Sequence, residues 1–205
     1  MQLIGLLGGT FDPVHFGHLR PALEVAECLE LSELRLVPCH VSPHRAQPLA
    51  TPQQRLQMLT LATAGQPVLR VDPRELNRSP PSYTVDTLES LKAEQPEATL
   101  AFVMGDDAFA AFKRWHRWER ILELAHLVVT SRPGFRLQAG EFSLAGDRAE
   151  LRGAGAGKIL HCEVTALDIC ASDIRQRLSE RRDIAYLVPH SVRDYIAEQR
   201  IYPSD

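Results

Sequence analysis

Residues Gly8 to His18 read G-G-T-F-D-P-V-H-F-G-H, and they stand between two patterned runs. Before them Leu3, Ile4, Leu6 and Leu7 make an apolar strand-like stretch; after them Leu19, Ala22, Leu23, Ala26 and Leu29 recur at helical spacing. A strand, a glycine-containing loop and a helix in that order bring backbone N–H groups and a positive dipole end to where a phosphate can dock. Gly8 and Gly9 let the backbone approach a bulky anion, with Thr10 and Phe11 continuing the loop. His15 and His18 are three apart at the helix start, so they share a face and can touch one phosphate together. A metal pair, or two polar histidines at a helix start, are the plainer alternatives, but neither calls for the preceding glycines.

Outward from this run, strands and helices alternate. Leu34–Pro38 is a short apolar strand; Thr51-Pro52-Gln53-Gln54 is an N-cap, a first-turn proline and a capping-box glutamine. The helix they open carries Leu56, Leu59 and Ala62 on one side. Strands are expected at Val68–Val71, Leu100–Met104, Leu127–Val129 and Ile159–Val164. Helices are expected over Val85–Glu94, around Ile121–Leu124, and from about Asp173 and about Ser191. Such alternation predicts an α/β fold: a Rossmann-like doubly wound, mainly parallel sheet with helices on both faces and a small C-terminal helical portion. In such sheets ligands bind at the carboxyl ends of the strands, where His15 and His18 fall. The whole of 1–205 reads as a single domain. Its interval 134–157 holds half the glycines without clear periodicity and is expected to be a mobile or variable surface segment, a hidden strand being the alternative.

Composition agrees with a compact enzyme: 205 residues, 44% hydrophobic and 24% charged. A net charge of -3 argues against a dedicated nucleic-acid binder. Cys28, Cys39, Cys162 and Cys170 form no C-x-x-C pair, which disfavours a structural zinc site. Their apolar neighbours suggest buried, reduced thiols and a cytoplasmic home. The apolar start is too short for a signal peptide, and no stretch is long enough to span a membrane. Oligomeric state is not legible.

Other segments narrow the ligand. In P-C-H-V-S-P-H-R, Pro38 to Arg45, the residues His40, His44 and Arg45 form a cationic loop at a strand end; a solvated, proline-stiffened loop is equally consistent with the spacing. Ser82-Tyr83-Thr84 precedes a helix, with Thr84 as N-cap, and that helix start can read a carboxylate or simply be capped. Asp107, in Gly105-Asp106-Asp107 beyond an apolar strand, can hold a ribose hydroxyl or help organise a cation. Trp115 and Trp118 are spaced so that one packs inward while the other faces a planar ligand, unless both are core. Arg132 follows a strand and can reach a phosphate. In Ile169 to Arg175, I-C-A-S-D-I-R, Ser172 is an N-cap whose helix start, with Arg175, can hold phosphate oxygens opposite His18.

The Gly8–His18 run resembles the HxGH signature of the nucleotidylyltransferase superfamily. Ser82-Tyr83-Thr84-Val85-Asp86-Thr87-Leu88, Met104-Gly105-Asp106-Asp107 with Trp115, Ile169–Arg175 and Tyr186-Leu187-Val188-Pro189 together resemble the bacterial nicotinate-nucleotide adenylyltransferases. Here Arg45 stands where that family has lysine, and Cys170, Ala171 and Ser172 stand where it has S-S-T. The resemblance implies transfer of the adenylyl group of ATP to nicotinate mononucleotide with release of pyrophosphate, Mg²⁺ accompanying ATP mostly through phosphates and water. It implies His15 and His18 as catalytic residues and Gly8, Gly9, Thr10, Phe11, His15, His18, Ser172 and Arg175 at ATP. Arg45, Tyr83, Thr84, Asp107, Trp115 and Arg132 fall to the mononucleotide; neither nucleic acid nor a membrane is expected as partner. A nucleotidylyltransferase for nicotinamide mononucleotide or a phosphopantetheine, and a non-catalytic nucleotide sensor, are the competing readings.

Overall fold

The computed structural model describes residues 2–41, 47–79, 81–132, 134, 137–138, 140–153, 155–165 and 167–202. Six strands form one sheet in the order β3-β2-β1-β4-β5-β6, every neighbouring pair parallel. They are β1 (Leu3–Gly9), β2 (Leu34–Pro38), β3 (Leu69–Val71), β4 (Thr99–Gly105), β5 (His126–Ser131) and β6 (Ile159–Glu163). The helices are α1 (Phe16–Cys28), α2 (Pro52–Thr63), α3 (Thr84–Glu94), α4 (Asp106–Ala110), α5 (Trp118–Leu124), α6 (Ala149–Gly153), α7 (Ala171–Ser179) and α8 (His190–Glu198), with a 3-10 turn at Phe112–Arg114.

Side chains alternate across the sheet because strand residues point to opposite faces. Leu3, Leu34, Leu36, Ala101, Val103, Val128, Leu160 and Cys162 enter one core, against α1, α2, α7 and α8. Ile4, Leu6, Val37, Leu100, Phe102, Met104, Leu127, Val129 and Ile159 enter the other, against α3 and α5. Burial on both faces explains why these strands read as near-continuous apolar runs. The chain changes face between α2 and α3, so β1 and β4, adjacent in the sheet, flank a switch point whose crevice lies outside their carboxyl ends.

The doubly wound class, the strand positions and the α2 start match the sequence expectations. Thr51 Oγ1 accepts from Gln54 N at 3.2 Å and Gln54 Oε1 accepts from Thr51 N at 2.9 Å, with Pro52 in the first turn. Two expectations need correction at the level of the fold. The inward face of α2 is Arg55, Met58, Leu59 and Thr63, not the Leu56–Leu59–Ala62 line, because Arg55 turns inward. Cys39 and Cys162 are buried, but Cys28 and Cys170 are exposed at helix ends where apolar sequence neighbours do not cover them. Among the described residues of 134–157, helix α6 has Leu151 fully buried, and Leu144 bridges in parallel to Ile159. Among the described residues no helix is long and apolar enough to cross a membrane.

Candidate active site

The carboxyl end of β1 runs into a loop that buries its side chains downward. Phe11, at φ 51 and 1% exposed, lies under Gly9, where a Cβ would come within 2.8 Å of its ring. Phe11 can therefore offer a nucleotide only its backbone. His15 is the N-cap of α1, with extended backbone and no side-chain capping bond, so its ring is available to pack on His18. The two imidazoles stack at 3.7 Å between centroids, and the Phe11 ring meets His18 edge-on at 5.1 Å. His15 is 4% exposed, and desolvation pulls its pKa from 6.5 down to about 4; it is neutral at pH 7. Its Nδ1 is buried and without a hydrogen-bond partner among the described residues.

Gly17 makes this geometry possible. A Cβ there would sit 2.9 Å from His15 Nδ1 and 2.9 Å from Ile169 O, so any larger residue would push the Ile169–Arg175 segment away from α1. One first-turn donor of α1 is already taken, Phe16 N–H bonding Leu187 O at 3.0 Å.

A buried cation ties the loops after β1 and β2 together. Arg55, fully buried, donates from Nη1 to Thr10 O (2.8 Å) and Cys39 O (2.7 Å) and from Nη2 to His40 O (3.1 Å). Burial lowers its pKa while Cys39, Asp12 and Tyr202 oppose that shift; a guanidinium stays charged nonetheless. The carboxylate beside it is Asp12, 5% exposed, which accepts from Leu49 N (2.9 Å), Ala50 N (3.0 Å) and the Tyr202 hydroxyl (2.7 Å). Arg175 Nη1 donates to Asp12 O at 2.6 Å, fixing α7 to the same loop.

The caps of α3 and α7 differ from expectation. Tyr83, not Thr84, caps α3, and Cys170, not Ser172, caps α7; both have extended backbones and neither makes a side-chain capping bond. Thr84 and Ser172 fall inside the first turn, where the backbone is already helical. Ser172 Oγ lies 3.1 Å from Cys170 Sγ.

The start of α3 rests on the loop after β2. His40 N donates to Ser82 Oγ (3.0 Å), His40 Nδ1 pairs with Arg78 O (2.9 Å), and Ser82 N donates to Val41 O (3.0 Å). Beneath it Thr87 Oγ1 donates to Glu75 at 2.5 Å and accepts from Arg78 Nη2 at 2.6 Å. Burial pushes the Glu75 carboxyl up from its ordinary pKa, against the bonds and charge of Thr87, Arg78 and Ser82. Above it the Tyr83 ring faces His116 at 4.4 Å between centroids.

Trp115 and Trp118 are both half-buried, so burial does not divide them as core and ligand-facing. Both meet Phe112 edge-on, Trp115 at 5.9 Å and Trp118 at 6.0 Å; they differ in their second neighbour. Trp118 meets Phe142 edge-on at 6.0 Å under Lys113. Trp115 meets Phe102 at 5.9 Å, and the Phe102 ring lies beside Gly8. Asp107 is exposed in the first turn of α4, its carboxylate folded toward Gly105. Arg132 has its side chain 69% exposed and lies 3.7 Å from Asp168, the residue before Ile169. Arg45 and His44 lie outside the described residues. Among those described, no group of three or more His, Cys, Asp or Glu side chains is arranged to hold a metal ion.

The structure thus joins His15 to His18, and α7 to the β1 loop, as the sequence suggests. Asp12, Arg55, Glu75 and Tyr202 escaped the sequence reading. Only Arg55 left a trace, a charge where α2 should turn inward.

Comparison with known proteins gives concordant findings. The family described as cytidylyltransferase-like matches residues 6–177. A Halorhodospira halophila protein named probable nicotinate-nucleotide adenylyltransferase is 47% identical, covering 98% of this chain and 96% of its own. One of the same name from Aeromonas salmonicida is 44% identical, covering 98% of each. In three dimensions the chain resembles Plasmodium falciparum nicotinic acid mononucleotide adenylyltransferase complexed with NaAD, at a TM-score of 0.76 and 18% identity over 100% of this chain and 99% of that one. At that identity the likeness concerns the fold.

Proposed function

The chain belongs to the cytidylyltransferase-like family and, within it, to the nicotinate-nucleotide adenylyltransferases, and from that membership we propose how its residues divide the reaction. The protein transfers the adenylyl group of ATP to nicotinate mononucleotide, yielding nicotinate adenine dinucleotide and pyrophosphate, a step of NAD biosynthesis. Residues 1–205 act as one nucleotidylyltransferase domain in the cytoplasm.

The observation that carries the division is the stacked His15–His18 pair at the start of α1, outside the carboxyl end of β1 and held against Ile169 O by Gly17. A triphosphate there meets two imidazoles, the Gly8–Thr10 backbone and, from across the crevice, Ser172 and Arg175. The mononucleotide phosphate attacks the α-phosphorus in line and pyrophosphate leaves. No side chain serves as nucleophile; positioning and charge stabilisation lower the barrier. His15 is neutral when free, so its ring meets an arriving triphosphate as a neutral hydrogen-bond donor, and the anion raises its pKa from the depressed value. A divalent cation accompanies the nucleotide. Since no described set of side chains is arranged to hold a metal ion, Mg²⁺ would arrive with the triphosphate, mostly on phosphate and water oxygens, and would neutralise charge on the leaving pyrophosphate.

Tyr83, Thr84, Asp107 and Trp115 hold the mononucleotide, with Arg45 and Arg132 on its phosphate. The start of α3, which no side chain caps, suits the nicotinate carboxylate. An amide in the same place points a donor at donors, and the combined terms amount to a preference of about 10²–10³ in kcat/KM. Pyrophosphate release with ATP and nicotinate mononucleotide, nicotinamide mononucleotide or 4′-phosphopantetheine tests this. Equal use of acid and amide refutes the pocket, and ATP binding without turnover of any acceptor makes the protein a sensor.

A further inference from the structure

Tyr202 is 190 positions from Asp12, yet its hydroxyl donates to Asp12 Oδ1 at 2.7 Å and it is only 7% exposed. The chain is brought there by the close of α8: Ile201 N bonds Ile196 O at 3.0 Å, Arg200 takes φ 49 and Tyr202 φ 60. Two non-glycine residues in the left-handed region within three positions is an unusual path, and it ends with the phenol against a carboxylate of the phosphate loop. Burial and the Asp12 charge both push the phenol pKa well above its ordinary value, against Arg175 and Arg55, so it remains a donor at working pH.

Asp12 has a second cationic neighbour. Arg175 Nη1 bonds the Asp12 backbone carbonyl at 2.6 Å while standing 3.7 Å from Asp12 Oδ2, too far for a close ion pair. The Nε and Nη2 of Arg175 have no hydrogen bond among the described residues, and its side chain is 29% exposed. The carboxylate is therefore satisfied by Tyr202 and by the Leu49 and Ala50 N–H groups instead of by the arginine.

We infer that Tyr202 is a positioning residue for the ATP side of the site: its bond to Asp12 keeps that carboxylate from drawing Arg175 inward, leaving the guanidinium turned toward the triphosphate. The inference rests on the reading of Arg175 as a phosphate ligand. Without the hydroxyl, Oδ1 keeps only the Ala50 N–H, more of the carboxylate's charge is left unneutralised, and Arg175, 3.7 Å from Oδ2, is drawn toward it.

Tyr202→Phe removes the hydroxyl and keeps the ring. It should raise the KM for ATP by about 3- to 10-fold, as expected for one lost hydrogen bond behind a ligand, and leave the KM for nicotinate mononucleotide unchanged. The Kd for α,β-methylene-ATP should rise by the same factor in calorimetry, a readout that does not depend on turnover. In an Arg175→Gln background the Tyr202 substitution should add nothing. An unchanged Kd, equal shifts in both KM values, or independent multiplicative losses in the double variant would overturn the inference. A lower melting temperature with nucleotide binding intact would do so too, reducing Tyr202 to packing. Absence of turnover in the wild type with this Kd pattern intact would instead count against the proposed reaction.

Discussion

Replacing His15 with Gln should flatten the acid side of the stability profile. In the folded protein desolvation holds the His15 pKa at about 4, whereas in the unfolded chain it is near 6.5. Between those values the unfolded chain binds a proton that the folded one refuses. His15 therefore leaves stability intact above pH 6.5 and erodes it as pH falls toward 4. The gap corresponds to about 3 kcal/mol in full, about 1 kcal/mol at pH 5.5 and about 2–3 kcal/mol at pH 4.5 relative to pH 8. The ring is 4% exposed, so solvent screening removes little of this. Glutamine fills most of the same space and does not titrate, so subtracting the variant removes the contributions of Glu75, Asp72 and every other group common to both proteins. Urea unfolding without nucleotide at pH 8, 5.5 and 4.5 gives the comparison. Wild type should lose more than the variant by those amounts. Parallel profiles would mean that His15 is not held neutral, and the stacked pair would need another electrostatic account.

Three further substitutions test separate parts of the site. His18→Ala should reduce kcat about 10²–10³-fold, as for other charge-stabilising donors, with little change in melting temperature because the residue is half-buried at a helix start; near-native kcat would remove His18 from the mechanism. Arg55→Met strands the carbonyls of Thr10, Cys39 and His40 and should destabilise by about 3 kcal/mol or more in urea, while a loss below about 1 kcal/mol would show that the clamp holds nothing. Nicotinate mononucleotide should quench tryptophan fluorescence, with Trp115→Phe weakening the quench and Trp118→Phe not, since Trp118 packs on Phe142 under Lys113 whereas Trp115 meets Phe102 beside Gly8; equal loss in both would make the two rings core.

Periodicity and capping chemistry are local signals, and they carried the strands, the Thr51 capping box and the Gly8–His18 loop into plain view. The parallel register follows from apolar runs such as Leu100–Met104 that are buried on both faces. The site was legible where one motif holds both partners, as with His15 and His18. It was not legible where partners are distant, as with Tyr202 and Asp12, or where a charge occupies an apolar position, as with Arg55 on α2. The caps at Thr84 and Ser172 misled because the motif residues suit capping, yet the backbone enters the helix one and two residues earlier, at Tyr83 and Cys170. The bridge from Leu144 to Ile159 joins residues of different segments, which no pattern within 134–157 reports.

Direct in-line transfer, with His15 and His18 stabilising charge and attacking nothing, is tested most directly by the stereochemistry at phosphorus. A single diastereomer of α-thio-ATP, turned over with nicotinate mononucleotide, should give the thio-dinucleotide with inverted configuration, one displacement having occurred. Retention would require two displacements through a covalent nucleotidyl-enzyme, most simply on one of the stacked imidazoles, and would contradict the mechanism.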